Sequence, residues 1–294
     1  MAESSVAQIG WPALRAHPRF REAVELNARL ILAHKDRHGP VLFWMTGDMG
    51  RSSTLNRALM RYAREGAVSV ADVLAWVRQR STVSDGRALQ VLRRAEGAGL
   101  MRIEPRSGPW RGRNIIILPL MVDFWRGRAA AEIESASLVL PAIGPCLERL
   151  QSDGFYYAFL SSLHRFDGMA PQARGPANPA MRHFMAHEGG LMMLYDLLLR
   201  QAPERERLLE AAPFSRTRLA SRFHVSRTHV RRVFAEAEAA GWLALEGHNS
   251  IVFGPEMSEQ AERHFALTFY VMGSCAEAAA SALDAAPTAG ARQG

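Results

Sequence analysis

The chain carries one pattern twice. When the sequence is laid over itself so that Val83-Ser84 falls on Val225-Ser226, Ala88 falls on Val230, Leu92 on Phe234 and Ala95 on Ala237. The phrase RRAEGAGLMRIE (Arg93–Glu104) falls on AEAEAAGWLALE (Ala235–Glu246) in the same register. Further on, NIIILP (Asn114–Pro119) matches NSIVFGP (Asn249–Pro255) in a register that has slipped. The slip is the longer segment EPRSGPWRGRN in the first copy. Internal self-similarity constrains architecture before local propensity does, because both copies must fold in the same way. A length of 294 residues, at roughly 100–200 residues per domain, has room for two such halves.

The second copy is the easier to read. Ser215 after Pro213-Phe214 is a good N-cap, and Leu219, Ala220 and Phe223 share one helix face. His224-Val225 is a short turn. Ser226 then caps a second helix with Val230, Val233, Phe234 and Ala237 on its apolar side, and Gly241 ends it. WLALE and SIVF read as two short strands around a polar His-Asn turn. Two helices joined by a short turn and followed by a hairpin predict a winged helix-turn-helix. Helices Ser53–Glu65 and Gly190–Gln201 precede the two units. Further helices flank them: Pro18–His34, Met121–Leu138, Gly144–His164 and Ser258–Leu283. The expected fold is therefore mainly α with small β hairpins, two winged helix-turn-helix units being flanked by packing or dimerisation helices. The first half is expected over residues 1–140, with its unit at about 52–118 and a basic wing at 105–113. The second covers 141–284, with its unit at about 190–254. Residues 167–182 read as a Gly- and Pro-rich loop, and 285–294 as a disordered tail.

The stretch LASRFHVSRTHVRRVFAEAEAAGWL resembles the helix-turn-helix of bacterial transcription regulators with winged helices, such as the MarR and GntR types. Leu219-Ala220, Val225-Ser226, Val230 and Gly241-Trp242-Leu243 carry the likeness here, and a weaker likeness extends around Val77–Arg113. The first copy departs from it, with Ser81 where Phe223 stands and Asp85-Gly86 in place of Arg227-Thr228. The resemblance implies a DNA-binding regulator built as a fused, pseudo-symmetric pair. It also implies terminal helices that make a dimer, and a small aromatic effector bound between the dimer and DNA-binding parts.

Charge follows the repeat. The net charge is +7, and all but one of the 36 basic residues are Arg, Lys35 being the exception. Between Ser215 and Val233 there are six Arg and no acid. Between Arg78 and Arg113 nine Arg stand against Asp85, Glu96 and Glu104. These windows together carry +12, so the rest of the chain is near −5. That concentration is the footprint expected of a duplex DNA partner. The first turns of a recognition helix enter the major groove. Thr228, His229 and Arg232 are thus expected at base edges, and Ser226 and Arg227 at phosphate near the helix N-terminus. Arg231 belongs to the same basic face, and Arg216, Arg218 and Arg222 on the preceding helix are further phosphate candidates. In the first unit Ser84, in register with Ser226, is a further DNA-contact candidate, and Arg87, Gln90 and Arg94 take the groove-facing positions; Gln suits adenine and Arg suits guanine. Asp85 would repel phosphate unless it caps the helix or accepts from cytosine. Arg106, Arg111 and Arg113 form a basic wing suited to a minor groove or backbone.

Other constellations are weaker. GDMGRSS (Gly47–Ser53) has only two residues between its glycines and Arg51 in place of Lys, so it reads as a turn with Ser52 or Ser53 capping a helix. His183 and His187 are four apart on a helical face, but a third ligand is not evident, and no metal or other cofactor is expected. No local signature of nucleophilic catalysis is present in the sequence, and no enzyme is expected. Met181, Phe184, Met185, Met192, Met193 and Tyr195, with Phe155, Tyr156, Tyr157, Phe159 and Phe166 upstream, suit either an effector pocket or helix packing, and packing is the plainer account. Two widely spaced cysteines and the absence of a long apolar run point to a cytoplasmic protein without a membrane partner. A sequence-specific transcription regulator is the favoured function, with a homodimer and a small-molecule effector left open. A plasmid replication initiator with tandem winged helices and a winged-helix adaptor that binds protein are the alternatives.

Overall fold

The computed structural model describes residues 6–80, 83–104, 112–166, 178–247 and 249–285. The tail 286–294, wing residues 105–111 with Arg106 and Arg111, and most of the Gly- and Pro-rich stretch lie outside the described residues. Helices α1 (Val6–Ile9), α2 (Trp11–Leu14), α3 (Phe20–Thr46) and α4 (Met49–Glu65) open the chain. Then come β1 (Val68–Ser69), α5 (Val70–Arg80), α6 (Asp85–Gly97), β2 (Met101–Ile103), β3 (Asn114–Ile117) and α7 (Pro119–Ala136). Helices α8 (Cys146–Arg149), α9 (Asp153–Ser162), α10 (Pro179–Ala186) and α11 (Gly190–Leu198) lead to the second series. That series is β4 (Ala211–Pro213), α12 (Arg216–Arg222), α13 (Arg227–Ala239), β5 (Leu243–Glu246), β6 (Ser250–Phe253) and α14 (Pro255–Asp284). The fold is mainly helical, with two small antiparallel sheets of three strands.

The order strand, helix, helix, strand, strand, helix occurs twice, and the local chemistry repeats with it. Ser84 Oγ accepts from the amide of Arg87 (3.3 Å), and Ser226 Oγ from the amide of His229 (3.0 Å). Each cap starts a helix whose inward face is fully buried: Ala88, Val91, Leu92 and Ala95 in α6; Val230, Val233, Phe234 and Ala237 in α13. Each helix ends on a left-handed glycine, Gly99 (φ 73°) or Gly241 (φ 77°). The following amide then bonds back to the carbonyl of Ala95 or Ala237, which closes a Schellman motif. Glu96 then accepts from the amide of Ile103, and Glu238 from that of Leu245, both at 2.8 Å. The central strands β3 and β6 pair in the same register, Ile103 opposite Ile115 and Leu245 opposite Ile251. The third strands, β1 and β4, were not legible in the sequence, so each expected hairpin is in fact part of a three-stranded sheet.

The flanking helices of the two halves pack on one another. α7 lies along α3 and α14, and α9 lies along α4 and α14. A Cβ at Gly127 would stand 2.8 Å from His34 Cε1, so the missing side chain lets α3 and α7 close up. α14 is long and apolar enough to cross a membrane by length and composition alone. Phe265, Phe269 and Ala276 on it are buried against its neighbours. Three expectations are corrected. α3 continues to Thr46 but is broken at Gly39 (φ 72°) before Pro40. The helix expected over Gly144–His164 is interrupted, and Ser152 restarts it by accepting from the amide of Phe155. The predicted loop ends at Pro179, where α10 begins; Gln260 on α14 accepts from the Ala180 amide (2.8 Å), and its carbonyl accepts from Asn178 Nδ2 (3.2 Å).

Candidate nucleic-acid interface

The N-terminal half of α13 presents a row of exposed polar residues. Val230, Val233 and Phe234 are anchored in the core, which turns Arg227, Thr228, Arg231 and Arg232 outward by helical geometry. Arg227, Thr228 and Arg231 form no ion pair or side-chain hydrogen bond among the described residues, and neither does Arg216 on α12. Arg232 lies 4.0 Å from Glu236 and 3.4 Å from His229 Nδ1. Ser226 is exposed, its hydroxyl engaged in the helix cap. His229 is the exception on this face. It is half-buried, and its Nε2 bonds the carbonyl of Glu188 at 2.9 Å. Burial holds its pKa below the usual histidine range, and the charge of Arg232 adds to this. The ring thus packs back on the Glu188 backbone and supports the helix.

The preceding helix α12 is less free than its sequence implied. Asp196 on α11 is buried and accepts from three guanidinium groups, those of Arg200 (2.9 Å), Arg218 and Arg222. Arg222 also faces Asp36 at 3.7 Å. Arg218 and Arg222 therefore neutralise a buried carboxylate and fasten α12 to α11. Asp196 without these partners would be a buried, uncompensated charge.

In the first module the matching helix is tethered. Arg87 reaches Asp48 Oδ2 at 3.0 Å, and the guanidinium of Arg94 lies 3.9 Å from the centre of the Trp44 ring. Arg78 pairs with Asp85 (Nε to Oδ1 3.0 Å), which neutralises the one acid at the start of α6. Gln90 is exposed, and its side chain forms no hydrogen bond among the described residues. Arg113 is half-buried beside β3, and its carbonyl accepts from the amide of Val70. Asp48 also accepts from the amide of Arg51 at the start of α4, and its Oδ2 lies 2.6 Å from Arg51 Nε. Asp48, not Ser52 or Ser53, is thus the N-cap of this helix; both serines lie inside its first turns. Arg51 is 2% exposed and reaches on to Glu188 Oε1 at 3.4 Å. The Gly189 amide donates to the carbonyl of Gly47 at 2.8 Å. Both second helices therefore lean on one junction, α6 through Asp48 and α13 through Glu188.

Behind that junction lies a cavity of ≈ 290 Å³. Met49, Met60, Trp76, Trp125, Phe159 and Tyr195 give it an apolar wall, and Arg57, Arg128, Glu132 and His264 a polar one. Of the Met and aromatic residues singled out in the sequence, Met185, Met192, Tyr195, Phe159 and Phe166 line it. Met181, Phe184, Met193, Phe155 and Tyr156 are fully buried packing instead. Asp48, Glu188 and Asp196 were missed as organising residues. The Asp48 cap left a local trace three residues before Arg51, and Asp196 left one in Arg200 four residues on; the partners Arg218 and Arg222 of Asp196, and those of Glu188, are distant in sequence. No protein-family model matches the chain, and no curated protein or solved structure matches it.

Proposed function

We propose that the chain is a duplex DNA-binding transcription regulator that reads sequence through two winged helix-turn-helix units. One observation carries the reading. The first turns of α13 hold Arg227, Thr228 and Arg231 exposed and unpaired among the described residues, on a helix anchored behind by four fully buried side chains. A rigid helix with free guanidinium groups at its start suits phosphate and guanine edges. The repeated strand-helix-helix-hairpin order and the charge concentrated on both modules support it further. On this reading Thr228 and Arg231 face bases, Arg227 and Arg216 hold phosphate, and His229 and Ser226 fix the helix. The α6 module contributes through Gln90 and the wing, with Arg87 and Arg94 held back by Asp48 and Trp44. No chemical step is assigned.

The test is retention of sheared genomic duplex DNA across a salt series, with sequencing of what is kept. A defined motif that Arg227→Ala/Arg231→Ala weakens is the expected result. Unenriched retention that vanishes at physiological salt would remove the reading and leave a protein partner as the better one. The cavity favours a gated form of the same function. It is the size of a small organic molecule's site and touches α4, α5, α7 and α14, so a ligand in it would bear on how the modules are held.

A further inference from the structure

The sequence offered two histidines without a third ligand, and the fold brings one. His183 on α10 and His187 at its C-terminal end face Glu236 on α13. Glu236 Oε2 lies 3.3 Å from His187 Nε2 and 3.9 Å from His183 Nδ1, and all three ligand atoms fall within 4.8 Å of one another.

The hydrogen bonds behind the rings decide what these atoms are. His183 Nε2 bonds the carbonyl of Val233 at 2.9 Å, and His187 Nδ1 bonds the carbonyl of His183 at 2.9 Å. A carbonyl only accepts, so each of those ring nitrogens carries the hydrogen. In the neutral rings, the nitrogens that face Glu236 are then bare lone pairs. Two imidazole lone pairs and a carboxylate oxygen converge with no donor between them. Such an arrangement calls for a cation in its centre. Arg232 lies 4.0 Å from the other carboxylate oxygen and does not enter it.

We propose that His183 Nδ1, His187 Nε2 and Glu236 Oε2 bind a divalent transition metal ion of the zinc class. The backbone carbonyls act as the outer partners that fix a ligating histidine's tautomer. Zinc with two imidazole nitrogens at about 2.0–2.1 Å and one carboxylate oxygen at about 2.0–2.2 Å is a standard donor set. It asks the three atoms to sit roughly 3.4 Å apart; Glu236 Oε2 already lies 3.3 and 3.9 Å from the two ring nitrogens, and the two imidazoles, whose nitrogens lie within 4.8 Å of each other, would turn inward to close the rest. A fourth position would be left for water. The ion would tie α10 to α13 and take Glu236 away from Arg232. That last consequence rests on the DNA reading; the site itself does not.

The test is titration of the chelator-treated full chain with Co(II), read by its visible d–d absorption and reversed by Zn(II). One equivalent with a four-coordinate spectrum is expected. Glu236→Gln, which keeps the shape of an exposed side chain, and His187→Gln should each weaken binding by at least about 10-fold, the scale set by loss of even an outer partner. Absence of a d–d band in the wild type, or binding by either variant as tight as that of the wild type, overturns the site. A separate arm measures duplex DNA affinity with and without Zn(II). A rise with Zn(II) that Glu236→Gln abolishes supports the coupling to Arg232, and an unchanged affinity overturns that coupling alone. Failure to bind DNA in either condition sinks the DNA reading while the Co(II) spectrum still decides the site.

Discussion

The two modules share the order of their elements, their helix caps and their strand register, and differ in what occupies the start of their second helix. In α6 the guanidinium groups are engaged, Arg87 by Asp48 and Arg94 by Trp44. In α13, Arg227 and Arg231 have no such partner among the described residues. In the register of the repeat, Arg87 falls on His229 and Arg94 on Glu236, while Arg227 falls on Asp85 and Arg231 on Leu89, so the free arginines of α13 stand where α6 has none. The tethering residues change as well, Trp44 falling on Ala186 and Asp48 on Gly190. A repeated pattern can thus keep its caps, core positions and register while its exposed positions and the segment before it exchange their charges. On the proposed function, α13 leads and α6 follows.

The largest effect should come from the tether. Asp48 compensates Arg51, which is 2% exposed, and also caps α4. Asp48→Ala leaves a buried guanidinium with Glu188 alone, and breaking such a pair costs about 3–5 kcal/mol. The cap of the other module, Ser226→Ala, should cost about 1 kcal/mol. Urea denaturation of the two variants measures both. Equal costs would break the comparison, since Asp48 would then be no more than a cap.

Acid should load the first half next. Burial pushes His34 down to about 4, with the charges of His38, Arg128 and Arg37 adding to it and a hydrogen bond to the Phe124 backbone opposing it. The folded chain therefore binds this proton less readily than the unfolded one. Stability from this group is complete above about pH 6.5, falls as pH drops from there toward about 4, and levels off below, for a loss of at most about 3 kcal/mol. Burial also lowers His183 and His229, so the unmodified chain shows a combined slope. His34→Gln should remove the share of one proton. Stability of that variant with the wild-type slope between pH 6.5 and 4 would contradict the assignment to α3.

DNA affinity separates the modules directly, on the proposed reading. Arg227→Ala/Arg231→Ala should weaken binding about 10- to 100-fold, the scale of one to two lost contacts. If both contacts are to phosphate, the salt dependence should flatten by nearly two units. Arg87→Ala/Arg94→Ala should change affinity less than about threefold, because those groups already have partners. Matching losses in the two double variants would mean that DNA displaces Asp48 and Trp44, and the modules would count as equals.

Much of this fold was legible because its signals are local. Ser215 and Ser226 announced their caps and Gly241 its helix end, Ser84 and Gly99 followed from the register of the repeat, and the core positions of α6 and α13 showed their period. The strands Val68–Ser69 and Ala211–Pro213 were not, since such short segments carry no alternation and exist only through their pairing with β3 and β6. Exposure of the basic residues was read from helix geometry and held for Arg227 and Arg231. Arg218, Arg222 and His229 are half-buried instead, and their partners Asp196 and Glu188 lie well upstream, beyond the reach of any local pattern. Glu236 escaped for the same reason, lying far beyond His187 in the chain and on another helix. Short-range chemistry is written in the sequence, whereas the pairing of charges depends on which helices meet.

The smallest effect is the one where the comparison predicts no difference. Gly99 and Gly241 both sit in the left-handed region, and each closes the same Schellman motif. A Cβ at either position meets nothing within 4 Å, so packing contributes nothing and only the backbone conformation is strained. Gly99→Ala and Gly241→Ala should therefore each cost about 1 kcal/mol, with a difference close to zero. Thermal unfolding of the two variants beside the wild type measures this. The tether at Asp48 acts on the start of α6 and not on its end, so it should not alter the result. A gap of more than about 1 kcal/mol, the full size of the conformational term, would place the asymmetry in the backbone itself. The two modules would then differ in fold and not merely in the company their arginines keep.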